Sequence, residues 1–184
     1  MARPRKHDQQ LILDAVARVI ARDGILTLDA VATEAGVSKA TVLYEHASKR
    51  ELLAALVRRT IEADNGFNIR CSQGYDGEPD AALRGRIDAA RRSAPPEGGD
   101  PAVLSLIAAL MQDAELRAEF RANQAELREG LLQDAADRRR TRLAWLALEG
   151  LKFQQHMDLV PWSLEEVGEA LDDIEALVAK KDKP

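Results

Sequence analysis

Apolar residues recur at helical spacing along most of the chain. Leu11, Ile12, Ala15, Val16, Val19 and Ile20 form one stripe and predict a first helix over residues 8–23, which Gly24 ends. Leu28, Val31, Ala32 and Ala35 predict a short second helix with Thr27 as N-cap and Gly36 as its left-handed stop. Ser38 caps a third over residues 39–46, which turns Val42 inward. Ser48, with Glu51 three residues on, forms a capping box for a fourth. Leu52, Leu53, Leu56, Val57 and Ile61 carry that helix past Thr60, and Asn65-Gly66 weakens it.

Residues 74–79 read as a loop and residues 80–92 as a polar helix holding Leu83 and Ile87. Pro and Gly break the chain over residues 93–100. Pro101 suits the first turn of the next helix, with Asp100 as its cap. Val103, Leu104, Leu106, Ile107, Leu110 and Met111 make that helix apolar almost all round, which predicts burial. A longer helix from about Asp113 carries Leu116, Phe120, Leu127 and Leu131, and Arg138-Arg139-Arg140 reads as a solvated helix end or turn. Residues 141–158 form the most apolar long helix. After Pro161 and the cap Ser163, residues 164–180 carry Leu164, Val167, Leu171, Ile174 and Val178 on one face. About nine helices and no strand pattern predict an all-α fold. A composition with only 4% aromatics, rich in Ala, Leu, Glu and Arg, agrees.

The 184 residues suffice for a sizeable core in one domain or two. A net charge of −5 argues, taken whole, against nucleic acid, but the distribution reverses this. Residues 1–59 carry 10 Lys and Arg against 7 Asp and Glu, while residues 60–184 carry 16 against 24. A basic head on an acidic body suits a DNA reader whose other part faces away from the duplex. Cys71 is the lone cysteine, so no intrachain disulfide and no Cys-rich zinc site can form. No 18-residue apolar run occurs, and the polar, basic first ten residues are not a secretory signal. A cytoplasmic location with no membrane contact is expected.

Two short helices around a glycine turn are the anatomy of a helix-turn-helix, whose second helix enters a DNA major groove. The candidate DNA contacts are Thr27, Ser38, Lys39, Ala40, Thr41, Tyr44 and Lys49, and Arg3, Arg5 and Lys6 form a candidate flexible arm. Residues 10–57 resemble the DNA-binding domain of the TetR (tetracycline-repressor) family of transcriptional regulators. The resemblance runs through Ile12-Leu13-Asp14-Ala15, Ala17-Arg18, Gly24, Thr27-Leu28 and Val31-Ala32. It continues with Glu34-Ala35-Gly36-Val37-Ser38-Lys39, Thr41 and Ser48-Lys49-Arg50-Glu51-Leu52-Leu53. The chain departs from the family at Leu43, Glu45, His46 and Ala47, where the family has an aromatic, a histidine, an aromatic and often proline. The loop over residues 24–27 is also shorter than usual.

The resemblance implies a DNA-binding domain, residues 1–47, followed by a helical regulatory and dimerisation domain, residues 48–184. It implies a homodimer on a pseudo-palindromic double-stranded operator, released by a small-molecule effector. In the family the last two helices pair with their mates. The matching residues here are Leu143, Leu146, Ala147, Gly150, Leu151, Leu164, Val167, Leu171, Ile174 and Val178. Candidate pocket residues are Phe67, Leu104, Ile107, Met111, Phe120, Trp145, Phe153, His156 and Met157, of which His156 could orient a ligand by a polar contact. The linking helix, residues 48–64, would couple effector to head spacing.

An enzyme is not expected. His7, His46 and His156 lie far apart, and no phosphate loop, nucleophile elbow or His-Glu-x-x-His occurs. No cofactor or metal is expected either. The alternative is a dimeric helical adaptor or scaffold with weakened DNA binding, which the departures at Leu43, Glu45 and His46 keep open.

Overall fold

Side-chain caps and buried stripes set nine helices among the described residues. The computed structural model describes residues 6–93 and 100–179, apart from the side chains of Lys6, His7, Asp8 and Ala102. The order is α1 (Lys6–Asp23), α2 (Leu28–Ala35), α3 (Lys39–Glu45), α4 (Lys49–Ser72), α5 (Ala81–Arg92), α6 (Pro101–Gln112), α7 (Ala114–Gln133), α8 (Arg138–His156) and α9 (Leu164–Val178). No strand occurs among the described residues, so the fold is all-α. None of these helices is long and apolar enough to cross a membrane. Packing divides the chain into two units, Met1–Glu62 with Pro101–Arg117, and Ala63–Asp100 with Ala118–Pro184. The expected division after residue 47 marks the start of α4 rather than the edge of a packed unit.

In the first unit α1 is the spine. Ile12, Ala15, Val16, Val19 and Ile20 are buried against Val31, Ala32, Val42 and Leu52. Arg18 and Arg22 of α1 both pair with Glu34 of α2, at 2.7 and 2.8 Å. Arg59 of α4 donates to Asp14 Oδ1 and the Leu13 carbonyl. Glu51 completes only half of the expected reciprocal box: its N–H donates to Ser48 Oγ, while its carboxylate accepts from Ala47 N–H at 2.8 Å. Asp113 caps α7 by accepting from the N–H groups of Glu115 and Leu116, and Arg50 of α4 holds both its oxygens.

Helix α6 is not buried as expected. Ala109, with Leu106 and Leu110, packs on Ala54, Val57 and Leu116, but Leu104 and Met111 stay 44% and 76% exposed. One helix face suffices for that contact, so an all-round apolar sequence overstated its burial.

His46 ends α3 and is only 7% exposed, with Nε2 buried and without a hydrogen-bond partner. It therefore packs as the aromatic of the family pattern would. Burial pushes its pKa down, and the carboxylates of Glu51 and Glu45 pull weakly the other way.

In the second unit α4 runs on through Asn65-Gly66 to Ser72, where the sequence predicted fading helicity. Tertiary contacts outweigh the cost of a helical glycine, about 1 kcal/mol. Asn68 and Cys71 are buried, and Asn65 Nδ2 donates to Asn123 Oδ1 of α7 at 2.8 Å. Helix α5, polar by composition, buries Leu83 and Ile87 in a core shared with Leu148, Leu171 and Ile174. It approaches α4 so closely that a Cβ on Gly85 would lie 2.5 Å from the Ser72 backbone. Asp80 starts α5 in the left-handed region at φ 60° and is buried. Its carboxylate accepts from Thr141 Oγ1 and Ala136 N–H, locking α5 to the start of α8. Asp137 accepts from the N–H groups of Arg139 and Arg140, so the arginine triplet is the first turn of α8, the solvated helix end that the sequence predicts. Helix α8 is two-faced rather than broadly apolar: Thr141, Ala144, Leu148 and Leu151 are buried while Leu143, Leu146 and Phe153 are exposed. Ser163 and Glu166 form a complete capping box for α9.

Gly85→Ala must displace backbone, whereas Gly36→Ala, at φ 66° with open space around it, costs only the left-handed strain of about 1–2 kcal/mol. Thermal melts should show the larger loss for Gly85→Ala, and a wild-type midpoint for that variant would refute the close approach. Because folding lowers the His46 pKa, the unfolded chain binds more protons as pH falls through the ordinary histidine value near 6.5, and stability falls with it. His156 has the same sign. Between pH 7.5 and 5 the melting midpoint of His46→Phe should therefore fall less than that of the wild type. An equal fall in both would place His46 in water.

Candidate nucleic-acid interface

The head of the first unit is built by three local devices. Thr27 Oγ1 accepts from Ala30 N–H at 3.1 Å and starts α2. Gly36, at φ 66°, reverses the chain while Val37 N–H returns to the Ala32 carbonyl at 3.0 Å. Ser38 Oγ then accepts from Thr41 N–H at 3.0 Å and starts α3. Val42 is fully buried, which fixes the rotation of α3 about its axis. That rotation leaves Lys39, Ala40, Leu43 and Tyr44 on an exposed face, Tyr44 at 72%. Ser38, Thr27 and Lys49 are exposed beside it, and Thr41 is half-buried.

Two of these side chains already have partners. Lys39 Nζ donates to Asp29 Oδ2 of α2 at 2.9 Å, and Thr41 Oγ1 shares a 2.9 Å hydrogen bond with Ser38 Oγ. The Lys39 pair is exposed on both sides, so it is weak and exchangeable. Asp29 was not singled out by sequence, because the link joins two helices across the turn. Of the departures from the family pattern, Leu43 is on the exposed face, Glu45 is half-buried and His46 is core. Arg3, Arg5 and the Lys6 side chain lie outside the described residues.

The residues expected to line a pocket are divided between the two units. Leu104, Ile107 and Met111 belong to the first unit, and Phe67, Phe120, Trp145, Phe153, His156 and Met157 to the second. Trp145 packs against the second core, and Phe153 is exposed. His156 lies 3.5 Å from Asp100, with burial pushing its pKa down and Asp100 opposing. The second unit holds a cavity of about 270 Å³ lined by none of the nine. Asn65, Asn68, Ile69 and Ser72 of α4 form one wall, Ala82 and Arg86 of α5 another, and Asn123, Glu126, Leu127, Gly130 and Leu131 of α7 the third. Its α4 wall exists because that helix does not stop at Gly66.

The residues expected at a dimer face fall into two groups. Leu151, Leu171, Ile174 and Val178 are buried in the chain's own core, with Val167 packed against it. Leu143, Leu146, Ala147, Gly150 and Leu164 are exposed.

Comparison with known proteins agrees with this architecture. Residues 12–56 match the family described as bacterial regulatory proteins, tetR family, and residues 80–179 match the tetracyclin repressor-like C-terminal domain. No curated protein matches the chain. Among solved structures, a TetR transcription regulator from Haloarcula marismortui shares the fold at 20% identity and TM-score 0.73, over 95% of this chain and 97% of its own. The multidrug binding protein EbrR in complex with ethidium is similar at 25% identity and TM-score 0.65, over 93% and 99% of the two chains. The TetR-like transcriptional regulator LfrR from Mycobacterium smegmatis, in complex with proflavine, is similar at 25% identity and TM-score 0.60, over 97% and 100%. With one family match on the helix-turn-helix and the other spanning residues 80–179, more than half of the chain, this chain belongs to the TetR family of transcriptional regulators.

Proposed function

We propose that the chain is a repressor that binds a pseudo-palindromic operator as a homodimer and leaves it when a small-molecule effector binds. The observation that carries this reading is the rigid presentation of α3. Val42 fixes its rotation, and Lys39, Ala40 and Tyr44 stand exposed on the opposite face. One seven-residue helix reads only a few base pairs, so two copies about one DNA turn apart are needed. The exposed stripe of Leu143, Leu146, Ala147 and Gly150 on α8 gives a second copy an apolar, small-residue surface to pack on. Ligand complexes of the similar EbrR and LfrR support an effector. An effector shifts the equilibrium only by binding the released state better than the DNA-bound one.

In this reading Lys39 exchanges Asp29 for a DNA phosphate, Tyr44 and Lys49 position the helix on the backbone, and Ala40 and Thr41 meet base edges. Selection of random duplexes by the purified protein should enrich an inverted repeat, and a folded protein that enriches nothing at low salt would favour the adaptor reading. Lys39→Ala should weaken binding across sequences and reduce the salt slope by about 2 for a dimer, one phosphate contact per head. Asp29→Asn should tighten binding, since it frees Lys39 and removes a negative charge beside the duplex; unchanged affinity in both variants would remove Lys39 from the interface.

A further inference from the structure

We propose that the cavity of the second unit takes a small anionic effector, a carboxylate gripped by the buried guanidinium of Arg86. This rests on the effector reading above and adds its chemical class. Arg86 is only 6% exposed and lines the cavity, yet it makes neither a hydrogen bond nor an ion pair with any described residue. A guanidinium stays charged in proteins and carries five N–H donors in a fixed fork. Its nitrogens are not sealed off but keep contact with the cavity, so a largely desolvated fork stays within reach of a ligand, and a bidentate oxygen pair matches it.

The surrounding groups select the rest of the ligand. Asn123 spends its Oδ1 on Asn65, which leaves its Nδ2 as a further donor on the same cavity. Asn68 spends its Nδ2 on the Asp64 carbonyl, so its Oδ1 remains for a hydroxyl or an amide of the ligand. Leu127 and Leu131 supply apolar contact. The negative groups near Arg86 are Asp64, Glu149 and Glu126. The first two attract the guanidinium from beyond ion-pair distance, and Glu126 is an exposed lining residue. Asp64 is exposed, so water screens it, whereas one Glu149 oxygen is itself buried without a partner. Neither Asp64 nor Glu149 fills the guanidinium fork. A volume of about 270 Å³, just below the usual range for such sites of about 300–1,000 Å³, suits a small molecule. Ethidium and proflavine, bound by the similar EbrR and LfrR, are cations that this guanidinium would repel.

The test is calorimetric melting of the full chain with straight-chain carboxylates from butyrate to octanoate, each against its own primary amide, with proflavine as the cationic comparison. At least one carboxylate should raise the midpoint by about 3–5 °C at ten times its dissociation constant, with its amide nearly silent. Arg86→Met should abolish that shift. Without ligand its midpoint should match or exceed the wild type, because an unpartnered buried charge is gone. Carboxylates no better than their amides, or proflavine stabilising in their place, would overturn the proposal. So would an Arg86→Met protein melting several degrees lower without ligand, since the guanidinium would then be a structural partner of Glu149. The measurement needs no DNA, so a failed operator selection and a failed anion site are separate results.

Discussion

The head of this protein depends on the burial of one stripe of α1. Helices α2 and α3 are eight and seven residues long, below the length at which an isolated helix is stable in water. They persist because Ile12, Val16, Val19 and Ile20 give them an apolar surface to close on, each side chain worth about 1.5–3 kcal/mol when fully buried. Val31 and Val42 insert into that surface from the two short helices, and Gly36 lets the chain reverse between them. The orientation of the exposed α3 face is therefore a consequence of core packing and not of the residues on that face.

Polar groups refine what burial fixes. In the first unit Asp113 caps α7 and is held by both edges of the Arg50 guanidinium, which keeps its carboxyl far below the ordinary range. In the second, Asp80 joins three segments through Thr141, Ala136 and the Asp134 carbonyl. Such hydrogen-bonded carboxylates rigidify the segments they join and specify their geometry. The Lys39–Asp29 pair is of the other kind: exposed on both sides, weak and exchangeable. A DNA reader needs both kinds, a fixed frame and releasable charge.

The second unit combines a conventional apolar core with an unfilled polar demand. Leu83, Ile87, Leu148, Leu171 and Ile174 satisfy one another, whereas Arg86, one residue from Ile87 on the same helix, has no hydrogen-bond or ion-pair partner among the described residues. The exposed stripe of α8 is the matching apolar demand on the outside.

The sequence by itself determined the all-α class, the helix-turn-helix and its caps. Thr27, Gly36, Ser38 and Ser163 act through hydrogen bonds and backbone angles within a few residues of themselves. The resemblance carried by residues 10–57 rests on this same local stretch, and a second family match covers residues 80–179. Only the tertiary structure decided the rest, because each point turns on residues far apart in sequence. Helix α4 survives Gly66 through contacts at Asn65, Asn68 and Cys71. His46 is core, α6 buries one face, and Arg86 faces a cavity walled by α4, α5 and α7. Periodicity tells which face of a helix is apolar. It cannot tell which polar residue on that helix another helix will cover, and at Arg86 that covering defines the candidate ligand chemistry.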